Sequence, residues 1–404
     1  MAGNKSFRHF IVLTAYYFIV IVFFDLLLVL SGFFEPVYRY GNKEVGHGYP
    51  INQDRYLFCE DCPDGQFREV TNSMGFKEFD EPKIPFDGTR VLFLGDSHMQ
   101  GVCSNEETIA DQFEQIATSR MGRKVDAQNG AYGGLSPAQY ARVLIYKGLQ
   151  LKPNIVVIGL YTGNDYFDLM RTDDRPWVYL SGDTLEWGEP DWVVDKNPAF
   201  QRSILSHSRV FYLFDRIYTK TLRYPYTRAR YLYNSTPEGA SFSRIWRFLY
   251  SLRKGNELGK NWWNQMLTQD LYFRLFDKID NADKLLHHLL RLYKDICKEN
   301  NIRLVIAPIP TAIDIHTHAL KPRYEALQQE IANLADFEDV VAVLQERYNF
   351  IDKICEEENI EFYDLRKPLL EHARGKKLYY KNDFHINPEA NRIIAEYLVH
   401  KILD

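Results

Sequence analysis

Cysteine is scarce. Five in 404 residues are too few to staple a chain of this size, so burial must hold the fold together. Basic charge is not in excess either: 49 Lys and Arg stand against 54 Asp and Glu, for a formal net charge of −5. That balance excludes a chain whose whole surface is built for nucleic acid. After residue 34 no second long apolar run follows, which excludes a polytopic transporter. What is present is a 46% apolar content, enough for a sizeable core and against disorder as the main state. Aromatics are plentiful at 15%, a proportion that suits a plain aromatic core as well as sugar-stacking or membrane-interface surfaces.

Residues 10–34 are almost wholly apolar, with Asp25 as the one charge; as a helix they would reach about 37 Å, enough to cross a bilayer. Lys5 and Arg8 precede the run, which by the positive-inside tendency makes residues 1–9 a cytoplasmic tail and puts the remainder on the far side. A cleaved signal peptide is the rival reading. Its apolar region would be shorter and end in an A-x-A-like site, whereas Val29-Leu30-Ser31 is the nearest approach here, so an uncleaved anchor is expected. A carboxylate at membrane depth is costly, and Asp25 is expected either to meet a membrane-protein partner or to snorkel outward. The expected localisation is therefore a single-pass membrane protein with its body extracytoplasmic, periplasmic if the source is Gram-negative.

Residues 35–88, rich in Gly, Pro and charge, read as a lead-in with short irregular strands. Cys59 and Cys62 lie here. One C-x-x-C lacks the second ligand pair of a structural zinc site, and in an exported setting a small-ring disulfide is expected. From residue 89 a strand and helix rhythm sets in. Strands are expected at 90–94, 126–129, 155–160, 302–307 and 360–363, with helices at 107–121, from Pro137, at 283–299, up to about 358 and from Pro388. The run Ile155-Val156-Val157-Ile158 is apolar on both faces, as a covered parallel strand should be. The alternation predicts an α/β fold, a flavodoxin-like doubly wound parallel sheet spanning 89–404, with its site at the carboxyl ends of the strands. Residues 170–280 interrupt it and carry all six tryptophans: Trp177, Trp187, Trp192, Trp246, Trp262 and Trp263. Between Gln201 and Lys254 nine Arg and two Lys face only Asp215 and Glu238. A helical, aromatic-rich insertion is expected, with a basic face for anionic polysaccharide, for lipid headgroups, or for solvent alone.

Gly95-Asp96-Ser97-His98 follows the first apolar strand, where a sharp turn can present Ser97 at the edge of the sheet. Taken alone such a serine is often a helix N-cap. Two more turns supply donors, Asn129-Gly130-Ala131-Tyr132-Gly133-Gly134 and Gly163-Asn164-Asp165. Asp383-Phe384-His385-Ile386-Asn387 stands before the last helix, with a carboxylate and an imidazole two residues apart on an extended segment and so on one side. A nucleophilic serine needs such a base, and the base an orienting carboxylate.

These blocks, in this order, together with the approach segment Asn72-Ser73-Met74-Gly75-Phe76, resemble the SGNH/GDSL hydrolase superfamily from about residue 72 to the end, insertion excluded. The resemblance implies Ser97 as nucleophile, His385 as base and Asp383 as its partner. It implies an oxyanion hole of the Ser97 N–H, Gly134 and Asn164; Gly134 suits the family spacing from Asn129 better than Gly133 does, and Gly133 stays open. No metal or cofactor is implied. The single residue between Asp383 and His385 resembles the membrane-associated polysaccharide O-acetyltransferase branch, while His98 stands where Leu-like residues are common among secreted esterases. The implied function is acyl transfer through an acyl-enzyme, by an esterase or O-acetyltransferase acting on a cell-envelope or extracellular glycan. A lipid esterase, or an idle glycan-binding or scaffolding domain, is the alternative.

Overall fold

Strand-forming apolar runs and helix-forming periodic segments fall where the sequence puts them, give or take two to four residues. The computed structural model describes residues 3–30, 40–42, 44–48, 51–59, 61–63, 65–122, 124–169, 177–188, 208–211, 279–330, 336–381 and 384–403. These fall into two compact units, one of the N-terminal helix with residues 208–211 and one of the remainder.

In the larger unit two hairpins come first. They are β1 (Tyr40–Asn42) with β2 (Gly46–Gly48), and β3 (Gln53–Phe58) with β4 (Gln66–Thr71), both antiparallel. The expected irregular lead-in is thus regular in part, because alternation along β4 buries every second residue. At the tip of the second hairpin Cys59 and Cys62 form a disulfide; Cys103, Cys297 and Cys355 are buried free thiols.

The central sheet is built from β5 (Thr89–Gly95), β6 (Val125–Asn129), β7 (Ile155–Gly159), β10 (Arg303–Ile306) and β11 (Glu361–Phe362), all parallel. Its order, β6-β5-β7-β10-β11, is the 2-1-3-4-5 arrangement of the flavodoxin-like doubly wound sheet. Because β5 starts the sheet and then has β6 on one side and β7 on the other, the chain reverses its winding at β5. The crevice beyond the carboxyl ends of β5 and β7 is where such sheets hold their ligands.

Alternate residues of each strand feed two cores. Val91, Phe93 and Val157 face one core, which is covered by α3 (Ile109–Met121), α7 (Ala312–Glu330), α9 (Arg366–His372) and α10 (Pro388–Leu403). Leu92, Leu94, Val156 and Ile158 face the other, beneath α4 (Pro137–Tyr146) and α6 (Ile279–Glu299). The helix α8 (Phe337–Glu357) serves both, with Val340 and Leu344 on the first and Ile351 and Ile354 on the second. Short α2 (Ser97–Gln100) and α5 (Asp165–Leu169) follow β5 and β7.

The insertion corrects one expectation. Its described beginning is an antiparallel hairpin, β8 (Trp177–Ser181) with β9 (Thr184–Gly188), and not helix. The alternation of Val178 and Leu180 with exposed Tyr179, and Gly182 at φ +63° in the turn, favour a hairpin there. Trp192, Trp246, Trp262, Trp263 and most of the basic stretch lie outside the described residues.

The apolar N-terminal run forms α1 (Gly3–Leu30). Its large side chains stand exposed, Val12 at 66% and Phe18 at 65% among them. Among the described residues no helix is long and apolar enough to cross a membrane. Asp25, expected to face a partner or the interface, is met within the unit: its Oδ1 accepts from Val210 N at 2.9 Å and from Ser208 Oγ at 3.2 Å.

Candidate active site

Every residue of β5 from Arg90 onward is buried, and the strand closes on Gly95. A Cβ there would lie 2.8 Å from the Gly159 carbonyl oxygen and 2.6 Å from Met99 Cβ, so only glycine lets β5, β7 and the following turn approach so closely. Asp96 then caps α2, its carboxylate accepting the His98 N–H at 2.8 Å. The capping role a lone serine might have had thus belongs to Asp96, and Ser97 opens the helix, partly exposed between buried neighbours.

His385 comes from the other end of the chain. Tyr380 N donates to His385 O at 2.9 Å, and Asn387 N donates to Leu378 O at 3.1 Å, with an antiparallel bridge of Tyr379 to Ile386 between them. Asn387 also accepts from Ala390 N at 3.0 Å, which starts α10 immediately after the loop. Held on both sides, the His385 ring places Nε2 2.7 Å from Ser97 Oγ, within hydrogen-bond reach for a base and its nucleophile. Asp383 lies outside the described residues.

The two donor turns follow β6 and β7, the strands that flank β5. Gly134, after β6, has φ +79°. Gly133 N donates to Gln100 Oε1 at 2.9 Å, which ties the peptide before Gly134 to the scaffold. Asn164, after β7, donates from Nδ2 to Asp168 Oδ2 at 2.7 Å, a bond that orients its amide and engages one of its two N–H groups. Ser97, Gly134, Asn164 and His385 are each partly exposed amid buried residues, and all four lie at the carboxyl edge of the sheet. Asn129, at the head of its motif, is fully buried and structural: Nδ2 donates to Gln100 O at 3.2 Å and N donates to Glu78 Oε1 at 2.6 Å.

Charges beneath these turns are shaped by burial. It lifts the Asp96 carboxyl to about 6, against the pull of the His98 N–H and of His385. Asp165, which accepts from Tyr161 N and from Tyr140 Oη at 2.8 Å each, is held well above the usual carboxylate range by the same cause. His98 is pushed well below the usual imidazole range, first by burial and then by His385.

Three supporting residues escaped sequence reasoning. Gln100 bridges from Gly133 to Glu69, Nε2 to Oε2 at 3.2 Å, and Glu69 pairs with buried Arg55, so the lead-in hairpin buttresses the glycine turn. Gln100 lies one helical turn beyond Ser97, a spacing visible in sequence. Arg347 of α8 donates Nη1 to the carbonyls of Thr162 at 2.6 Å and Gly163 at 3.2 Å, the two peptides before Asn164. Neither Arg347 nor Asp168 had any signal pointing to it.

No protein-family model matches the chain, nor does any curated protein. Among solved structures it is similar to a protein described as lipolytic, of the G-D-S-L family, from Desulfitobacterium hafniense DCB-2. That pair shares 11% identity over 77% of this chain and 98% of that one, with a TM-score of 0.36. It is also similar to an acetyl xylan esterase at 12% identity, 78% and 99% coverage and a TM-score of 0.33. A GDSL-like lipase from Bacteroides thetaiotaomicron VPI-5482 has 10% identity, 78% and 88% coverage and a TM-score of 0.32. Superpositions this loose say nothing of chemistry; what stands on the chain's own geometry is an α/β protein with a parallel doubly wound sheet and a Ser97–His385 pair at its switch point.

Proposed function

We propose that the chain is a serine-dependent acyl-ester hydrolase or O-acyltransferase of the SGNH kind. The observation that carries this is the 2.7 Å contact of His385 Nε2 with Ser97 Oγ at the carboxyl end of β5. Ser97 Oγ attacks the ester carbonyl carbon while His385 Nε2 takes its proton. The oxyanion so formed is met by the Ser97 and Gly134 N–H groups and by the second Asn164 N–H. Collapse expels the alcohol, which recovers the proton from His385, and leaves an acyl-Ser97 ester. Water, activated by His385, then releases the acid; a sugar hydroxyl in its place completes a transfer. Asp383 is assigned the orientation of His385 from its position in the motif. No cofactor or metal enters the cycle.

For substrate we favour an O-acylated cell-envelope glycan, supported by the basic, tryptophan-rich insertion, with a lipid ester as the competing choice. We place the body outside the cytoplasm on a single-pass anchor at residues 10–34. The apolar run of the sequence over residues 10–34 and the Cys59–Cys62 disulfide support that placement. Full-length protein should hydrolyse a generic acetyl ester and be labelled by a fluorophosphonate probe, and Ser97→Ala should abolish both. Hydrolysis that survives Ser97→Ala would overturn the mechanism. Saturable glycan binding without turnover would favour the idle binding domain instead.

A further inference from the structure

The proposed chemistry leaves one residue of the nucleophile motif without a task. His98 is 2% exposed, and its backbone N–H is used by the Asp96 cap. Its ring lies stacked on Tyr161 with centroids 3.7 Å apart and planes at 16°. On its other side stands His385, centroids 4.6 Å apart and planes at 30°. Ring nitrogen Nδ1 is buried without a hydrogen-bond partner among the described residues, so the position is not chosen for a bond through that atom; what the ring offers is its faces.

Resting on the serine-esterase reading above, we propose that His98 is the positioning residue of the general base. Clamped between Tyr161 and His385, it fixes the His385 ring so that Nε2 stays on Ser97 Oγ, and it presents a neutral π face to the charge His385 gains on accepting the serine proton. The groups around it allow this. Asp96 faces its backbone from the cap, Tyr161 comes from the end of β7, and His385 comes from the loop before α10; Asp168 of α5 acts on Asp96. Burial and His385 both disfavour a charge on His98, so it does not compete for the proton and remains an attractive neighbour to an imidazolium. Tyr161 is braced in turn, its N–H donating to Asp165 Oδ2 at 2.8 Å.

The test uses full-length protein with p-nitrophenyl acetate as probe. His98→Ala is expected to lower kcat roughly tenfold with KM nearly unchanged, and to move the acid limb of the kcat/KM profile to lower pH as the imidazolium loses its stacking partner. His98→Phe keeps a flat ring and discards both nitrogens; it is expected to hold kcat within about threefold of the parent and to leave the limb in place. Equal losses in the two variants at matched thermal stability, or no change in either quantity in His98→Ala, overturns the proposal. Should His98→Ala fail to fold, His98→Phe decides by the same criteria. If the parent protein hydrolyses no ester, it is the esterase reading that falls, and the ring pair is then judged in wild-type protein labelled with 15N-histidine. There His98 is expected to stay neutral while His385 titrates, its own signals responding to that titration. Protonation of His98 before or together with His385, or no response, overturns the proposal.

Discussion

At the scale of single residues, the candidate site depends on how backbone donors are aimed as much as on the Ser97–His385 pair. Gln100 accepts from Gly133 N and is itself tied to Glu69, which fixes the peptide leading into Gly134. Gln100→Leu is expected to cost about 1–3 kcal/mol in denaturant-measured stability by removing a buried acceptor. It should also lower kcat by roughly tenfold or more at similar KM, since a displaced oxyanion donor is felt in the transition state. A kcat equal to the parent's would show that the Gly134 turn holds its place unaided. Ser97, Gly134 and Asn164 were legible because each sits in a short motif at a strand end. His98 was visible as a departure from Leu-like residues but not interpretable, since its stacking partners lie 63 and 287 positions further along the chain.

At the scale of elements, the packing of β5 against β7 sets the geometry of the turn that bears Ser97. Their last paired residues are Gly95 and Gly159, and a methyl on Gly95 would press on the Gly159 carbonyl at 2.8 Å. Gly95→Ala is expected to destabilise the protein by about 1–3 kcal/mol, read as a lower Tm, and to depress hydrolysis further than the loss of folded protein explains. An unchanged Tm would mean the two strands can part without cost. Strands and helices here were largely readable from period and composition: β5, β6 and β7 lie within a residue or so of expectation, and α10 begins at Pro388 as its N1 preference indicates. The hairpin β8–β9 was not, because a long interruption rich in Trp and Arg masks a short alternation.

For the whole molecule, burial moves a set of carboxyls among the described residues in one direction. Burial raises Asp96 to about 6 and Asp111 to about 7, and raises Glu78, Glu114, Asp165 and Asp314 above their usual range as well. The carboxyls held low by ion pairs, such as buried Glu358 and half-buried Glu389 at about 2, lose their contribution only as pH falls below their unfolded range and so act beneath the window of the raised set. A carboxyl whose folded pKa lies above its unfolded one binds more protons in the native state between the two values, so its contribution is full below the unfolded pKa and is lost as pH rises through the folded one. Thermal stability is therefore expected to fall between about pH 4 and pH 7. A Tm that climbs across that window would show that the raised carboxyls do not dominate. The formal charge of −5 foretells none of this, because it counts carboxyls without regard to where they are buried.

The sequence by itself determined the alternation of strand and helix, the parallel sheet, the apolar helix at the N-terminus and the turns that carry Ser97, Gly134 and Asn164 at the strand ends. These follow from local period, turn chemistry and spacing, which are written within about ten residues of one another. Only the tertiary structure decided the sheet order that sets β5 between β6 and β7, the 2.7 Å approach of His385 to Ser97, the commitment of Gly133 to Gln100 and the seating of His98 between Tyr161 and His385. The reason is physical: each of these is a contact between segments far apart in the chain, made when apolar faces bury against one another, and no local pattern records which distant partner a face will meet.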